Sequence, residues 1–278
     1  MVLESILNPE NAAGSPLKVF VIAIIFCFVA VIFAFSLFPE QSSILTISII
    51  TIMFIPFFYH IFKKEELKDD LIAEHKDKNP SDVNLLLRHK KTIVIYSAYF
   101  LGIVVGMTII FAFMPQYGKV FDLQVAQPAL AQYTSGNATV SLEIFFRYFF
   151  NNSRVMILAF ILSALLGTGG IFVLAWNASI ISVYIGLKAI APMMQSGTNS
   201  IVAFILGVPA GLASIAIWGI PEILGYIMAG LAGGILSVGI IREELESNKF
   251  REVLKDALFI LILGEAFIVA GAILETVF

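Results

Sequence analysis

Apolar residues fall along this chain in long unbroken runs, not in the two-residue alternation of a half-buried strand. A bilayer crossing needs roughly 20 consecutive apolar residues. Seven stretches qualify, at about 17–38, 42–62, 92–114, 153–175, 199–218, 220–241 and 257–277. Between the fourth and fifth lies the semi-polar segment 176–198, with Lys188 and Pro192, which reads as a re-entrant or interfacial helix or as a continuation of the fourth span. The pattern predicts an all-α fold: a polytopic transmembrane helix bundle of about seven spans.

Charge orients that bundle. Loops rich in Lys and Arg stay in the cytoplasm. With the N-terminus inside, 14 of the 17 basic residues fall on the inner side, and only Lys119, Arg147 and Arg154 fall outside. The expectation is N-terminus in and C-terminus out. An eighth crossing at 176–198 would place the basic residues of 242–255 outside, so seven is preferred. The organisation is then an N-terminal pair of spans (1–62), a charged cytoplasmic loop (63–91) and a five-span core (92–278) with an outer loop at 115–150. The charged loop is a solvated connector or a docking arm. The aromatic run 144–150 is expected to lie at the outer headgroup level. Asn137-Ala138-Thr139 in the outer loop is a glycosylation tripeptide of small weight.

Composition supports the membrane assignment and removes several functions. The chain is 59% hydrophobic and 13% charged, with mean hydropathy +0.94, against about 25% charged residues in soluble domains. A net charge of −3 implies no nucleic-acid surface. Cys27 is the single cysteine, so neither an intramolecular disulfide nor a cysteine metal cluster is open to the chain. The three histidines, His60, His75 and His89, lie at or beyond the inner face with no second ligand at metal spacing. There is no His-Glu-x-x-His pair and no phosphate-binding Gly-x-x-x-x-Gly-Lys run. Gly167-Thr168-Gly169-Gly170 lacks the lysine and reads as packing or a kink within a span. No catalytic residue, cofactor or metal site is expected, and the chain is not read as an enzyme.

What remains is a small polar set inside apolar runs. Asn151 and Asn152 stand with Arg154 at the entrance of the fourth span, Asn177 near its inner end, Glu222 at the entrance of the sixth, and Glu265 within the seventh. Ionisable residues in a membrane are costly and default to a functional reading. A structural reading stands beside it: Glu265 in an interhelical hydrogen bond, and Glu222 after Pro221 offsetting the positive end of a helix. Small residues recur four apart at Gly102/Gly106, Gly207/Gly211, Ala229/Gly233 and Gly230/Gly234, a spacing that lets helices approach closely. Pro209 is expected to kink or break the fifth span.

Three sequence features together resemble a known family. They are Asn151-Asn152, Trp176-Asn177-Ala178, and Trp218-Gly219-Ile220-Pro221-Glu222-Ile223 leading into Ala229-Gly230-Leu231-Ala232-Gly233-Gly234. This pattern is similar to the stage II sporulation protein M family of bacteria and archaea, over about residues 92–278, with the first two spans as an addition. Trp218 stands where the family pattern carries a histidine; Glu222 and the glycines match it. The resemblance implies a membrane-integral scaffold in the plasma membrane of a prokaryote. Its sporulation member recruits cell-wall hydrolases, and sporulation itself is not carried over.

Two functions follow as expectations. The first is a non-enzymatic scaffold that organises other membrane or membrane-associated proteins among the membrane lipids, with a homodimer through its small-residue faces. The second is a transporter or channel for a small molecule, ion or lipid, using Glu222, Glu265 and Asn177.

Overall fold

The computed structural model describes residues 15–74, 85–127, 142–242 and 246–277. Most of the charged loop's tip, His75, the Asn137 tripeptide and Glu243-Glu244 lie outside the described residues. The described residues are helical almost throughout and contain no strand. Seven helices are long and apolar enough to cross a membrane. They are α1 (Pro16–Leu37), α2 (Ser42–Glu74), α3 (Leu85–Phe113), α4 (Leu142–Leu166), α5 (Gly169–Ile185), α6 (Ser200–Arg242) and α7 (Asn248–Val277). α5 continues through a π-turn, Gly186–Ile190, into Ala191–Gln195.

Side-chain contacts fix the directions. Gly170 packs on Ser163 and Asn177 lies beside Asn151, so α4 and α5 form an antiparallel hairpin. Tyr99 meets Ile171 and Ser182 meets Val104, so α3 and α5 run parallel. Gly207 meets Ile190 and Gly230 meets Gly170, so α6 runs back along α5. Val253 meets Gly239 and Gly271 meets Trp218 and Glu222, so α7 is antiparallel to α6.

The count of seven agrees with the sequence pattern, but the middle of the core is divided differently. The expected span at 153–175 is α4, which begins at Leu142 and ends at Leu166. The aromatic run 144–150 forms its first turns, with Phe145 stacked on Phe149 and Phe146 on Phe150 at ring separations of 5.8 and 5.9 Å. The run Gly167-Thr168-Gly169-Gly170 is the hairpin turn, not a kink within a span. Gly167 there takes φ +75°, a backbone region nearly closed to other residues. The Gly170 amide donates to the Ser163 hydroxyl at 2.7 Å, which satisfies a free N–H at the start of α5.

Most of segment 176–198 is then neither re-entrant nor interfacial: it belongs to the long helix Gly169–Gln195. Lys188 therefore lies at the opposite end of the bundle from Lys90 and Lys91. The two expected spans 199–218 and 220–241 are one helix of 43 residues that runs unbroken through Pro209 and Pro221. At 1.5 Å per residue it is about 64 Å long, roughly twice a ~30 Å hydrocarbon layer. It therefore crosses with a tilt, projects beyond the layer, or both.

The N-terminal helices are packed into the same body. Gly102 and Gly106 of α3 admit α1, where an added Cβ would come within 2.6 Å of the Phe20 carbonyl oxygen and 3.1 Å of Cys27. Phe54, Phe58, Tyr96 and Tyr99 interlock between α2 and α3, with ring centroids 4.6–4.8 Å apart for Phe58–Tyr96 and Phe54–Tyr99. These rings are fully buried.

Candidate functional site

Glu222 sits at the middle of α6, not at a helix start, so it caps nothing. It is 6% exposed. α6 carries it towards α4, where Asn152 Nδ2 donates to its Oε1 at 2.6 Å. Tyr226, one helical turn further along α6, donates its hydroxyl to Asn152 Oδ1 at 2.9 Å. Asn151 Nδ2 donates to the same oxygen at 3.3 Å. Asn152 is thereby held by both a donor and an acceptor, which fixes which way its amide points.

α7 completes the cluster. Gly271 lets the Glu222 side chain lie flat on its backbone, since a Cβ there would come within 2.7 Å of Glu222 Cγ. One turn along α7, the Glu275 carboxyl lies beside that of Glu222. Tyr148 on α4 lies within electrostatic reach of both. Trp218, one turn before Glu222, has a buried ring nitrogen with no hydrogen-bond partner.

A cavity of about 60 Å³ lies among α4, α5 and α6 beside Glu222. Asn151, Asn152, Asn177, Glu222 and Tyr226 form its polar wall. The structure thus unites Asn151, Asn152, Asn177 and Glu222. Asn177 belongs to α5 rather than to the inner end of α4, and its amide donates to the Val173 carbonyl at 2.8 Å.

Glu265 is engaged separately. Ser153 donates its hydroxyl to Glu265 Oε1 at 2.6 Å, and Glu265 Oε2 is buried without a partner. Asn152 and Ser153, adjacent on α4, therefore face Glu222 of α6 and Glu265 of α7 respectively. Arg154 is exposed on the opposite side of α4, where a long cationic side chain reaches toward headgroups.

Among the small residues, Gly230 faces Gly170, Gly233 faces the Phe160 carbonyl oxygen, and Gly234 faces the Phe62 ring, with added-Cβ distances of 3.7, 2.4 and 2.7 Å. Gly207 and Gly211 are closed by Ile190 and Ile185 of α5. These stripes are filled by the chain's own helices, so a homodimer has to use other surfaces. Gly219 is different: an added Cβ would meet only Ile215, at 3.9 Å. Pro221 lies within α6 beside Glu222.

Sequence reasoning missed Ser153, Tyr226, Gly271 and Glu275. Tyr226 and Gly271 carry a faint signal, each being one turn from a cluster carboxyl. Ser153 and Glu275 have none without knowledge of which helices touch.

No curated protein and no solved structure matches this chain. A family model does, over residues 98–278, so it begins within α3 and takes in the Glu222 cluster, the α4–α5 hairpin and all of α6 and α7. On that match, the chain belongs to the Stage II sporulation protein M family.

Proposed function

We propose that this protein is a non-enzymatic, multi-pass protein of a prokaryotic plasma membrane that binds a small ligand at the Glu222 cluster and holds or moves it within the bilayer. The observation that carries the reading is the buried Asn152–Glu222–Tyr226 network, joined by Glu275 and bordering a polar cavity inside the spanning helices. Polar groups at such depth are expensive, and a cavity beside them gives a ligand access to groups already oriented. The cluster supplies carboxyl, amide and phenol groups, and neither lysine nor arginine lines the cavity. That set suits an uncharged hydrogen-bonding group or a cation and disfavours a phosphate.

The test is ligand-induced stabilisation in lipid nanodiscs. Melting of the wild type and of Glu222→Gln is followed as fractions of a membrane-lipid extract, alkali cations and small polar solutes are added. Gln keeps the shape and can still bond to Asn152, so the two unliganded proteins should melt alike. The reading predicts at least one addition that raises the wild-type midpoint and leaves the variant unmoved. No shift with any addition, or equal shifts in both proteins, would sink it.

The scaffold reading keeps one observation of its own. Ile157, Leu158, Ile161 and Leu165 of α4 are 45–74% exposed and form one unpartnered apolar face. Crosslinking in native membranes tests it, and a stable partner whose capture survives Glu222→Gln would favour the scaffold.

A further inference from the structure

Beside the polar cavity lies a second, larger one of about 320 Å³ between α3, α5 and α6. Phe100 and Leu101 of α3 form one side and Leu212, Ala216 and Ile220 of α6 the other. Its only hydroxyl, on Ser97, donates to the Ile93 carbonyl and so is used within α3. The groove is therefore apolar throughout, and its size falls within the range of roughly 300–1,000 Å³ usual for small-ligand pockets. It lies midway along spanning helices, with Leu101 and Ile220 40% and 56% exposed at its mouth, so it opens toward lipid chains and not toward water.

The two cavities share a wall. Ile181, Ile215, Gly219 and Ile223 line both. At Gly219 that wall has no side chain, and nothing but Ile215 stands near the position one would take. An apolar groove thus adjoins a small polar chamber through a gap left by a glycine. A ligand that fills both has a long apolar part and a compact hydrogen-bonding head. No cation lines either cavity, so a phosphate head would be buried without a counter-charge, at a prohibitive desolvation cost. A hydroxyl, in contrast, can donate to the Glu222 carboxyl and accept from an asparagine amide.

We infer that the groove and chamber together bind one uncharged long-chain amphiphile, its hydroxyl head among Glu222, Asn152 and Asn177 and its chain between α3 and α6. This rests on the reading that the Glu222 cluster takes a ligand, and it names the ligand's class.

The test uses the full chain in nanodiscs with two photoactivatable probes of equal chain length. One is a diazirine-bearing long-chain alcohol and the other a diazirine-bearing phosphatidylcholine. Crosslinked residues are mapped by mass spectrometry. The alcohol should label 97–101 and 212–224 several-fold more than the phospholipid does, and unlabelled alcohol should compete. Gly219→Leu, whose Cβ would meet only Ile215 at 3.9 Å and whose longer side chain fills the gap, should remove that excess while Gly219→Ala keeps it. Ala216→Leu, which narrows the groove one turn from Gly219, gives the same reading if Gly219→Leu folds poorly. Equal labelling by both probes means that lipid tails occupy the groove unselectively and overturns the inference, as does alcohol labelling that neither variant reduces. If labelling fails in this way while an aqueous solute still shows Glu222-dependent stabilisation, the amphiphile is wrong and the ligand-binding reading stands.

Discussion

The two halves of this bundle solve the same packing problem in opposite ways. Between α2 and α3, the fully buried rings of Phe54, Phe58, Tyr96 and Tyr99 interlock. Between α4, α6 and α7, glycines bring backbones into contact and carboxyls meet amides and hydroxyls. Gly225 and Gly264 face each other there, each added Cβ falling 2.9 and 3.2 Å from the other's carbonyl oxygen. In lipid there is little hydrophobic drive between helices, so packing and hydrogen bonds do the holding. Bulky rings fill space and seal it. Small residues let helices close on polar groups that the membrane would otherwise penalise. In the proposed function, the second arrangement is the one that holds the ligand.

The largest effect expected from breaking this contrast is at Phe58. Phe58→Ala removes a ring packed on Phe54, Phe62, Tyr96 and Tyr99. It should cost about 3 kcal/mol, the low end for Phe→Ala because lipid is as apolar as the core. The unfolding midpoint in detergent should fall sharply, with ligand response retained in the folded fraction. Next comes Gly233→Leu, whose Cβ would meet the Phe160 carbonyl oxygen at 2.4 Å. Forcing α4 from α6 should cost about 1–3 kcal/mol and should also abolish ligand response, because Asn152 leaves Glu222. A variant that loses stability but keeps its response would show that the contact is not what aligns the cluster.

Smaller effects sharpen the comparison. Glu265→Leu removes the acceptor of Ser153 and should cost ~1 kcal/mol, typical of an interhelical hydrogen bond in membranes. Glu265→Gln should melt as the wild type does. If neither variant changes stability or ligand response, Glu265 is neither bond nor site. The smallest effect belongs to Lys119, which is hydrogen-bonded to Glu40. That bond, together with the glutamate's charge, raises the lysine pKa above its ordinary value. Any contribution is present below the ordinary lysine pKa and is lost as pH rises through the raised one. Both side chains are at least half exposed, so Lys119→Ala should leave the melting midpoint unchanged at neutral pH.

Much of the fold was legible because run length alone identifies a spanning helix. The end points of the bundle and the close contacts at Gly102, Gly230 and Gly233 could be read from runs and spacings. The partition of 142–242 could not. Asn151, Asn152 and Arg154 looked like a membrane entrance because their polarity was read against lipid, whereas Asn152 and Ser153 face carboxyls and Arg154 lies on the far side. Pro221-Glu222 looked like a helix start for the same reason. Its carboxyl is tolerated at mid-helix because Asn152, Gly271 and Glu275 receive it, and those lie on two other helices. The site was half legible: residue types marked Glu222, Asn152 and Asn177, but only the packing of α7 on α6 adds Glu275 and Gly271.

Thiol labelling in membranes separates the Glu222 chamber at Gly219 from the close-packed contact around Cys27. Cys27, the only native cysteine, is fully buried beside Gly106 and serves as an internal control. Wild-type protein and Gly219→Cys are treated with a small, neutral, membrane-permeant thiol reagent, and adducts are counted by intact mass. The expected result is no adduct on the wild type and one on the variant, slowed by whichever ligand stabilises the protein through Glu222. A variant thiol as inert as Cys27 would show that small molecules do not reach the chamber and would overturn ligand binding there.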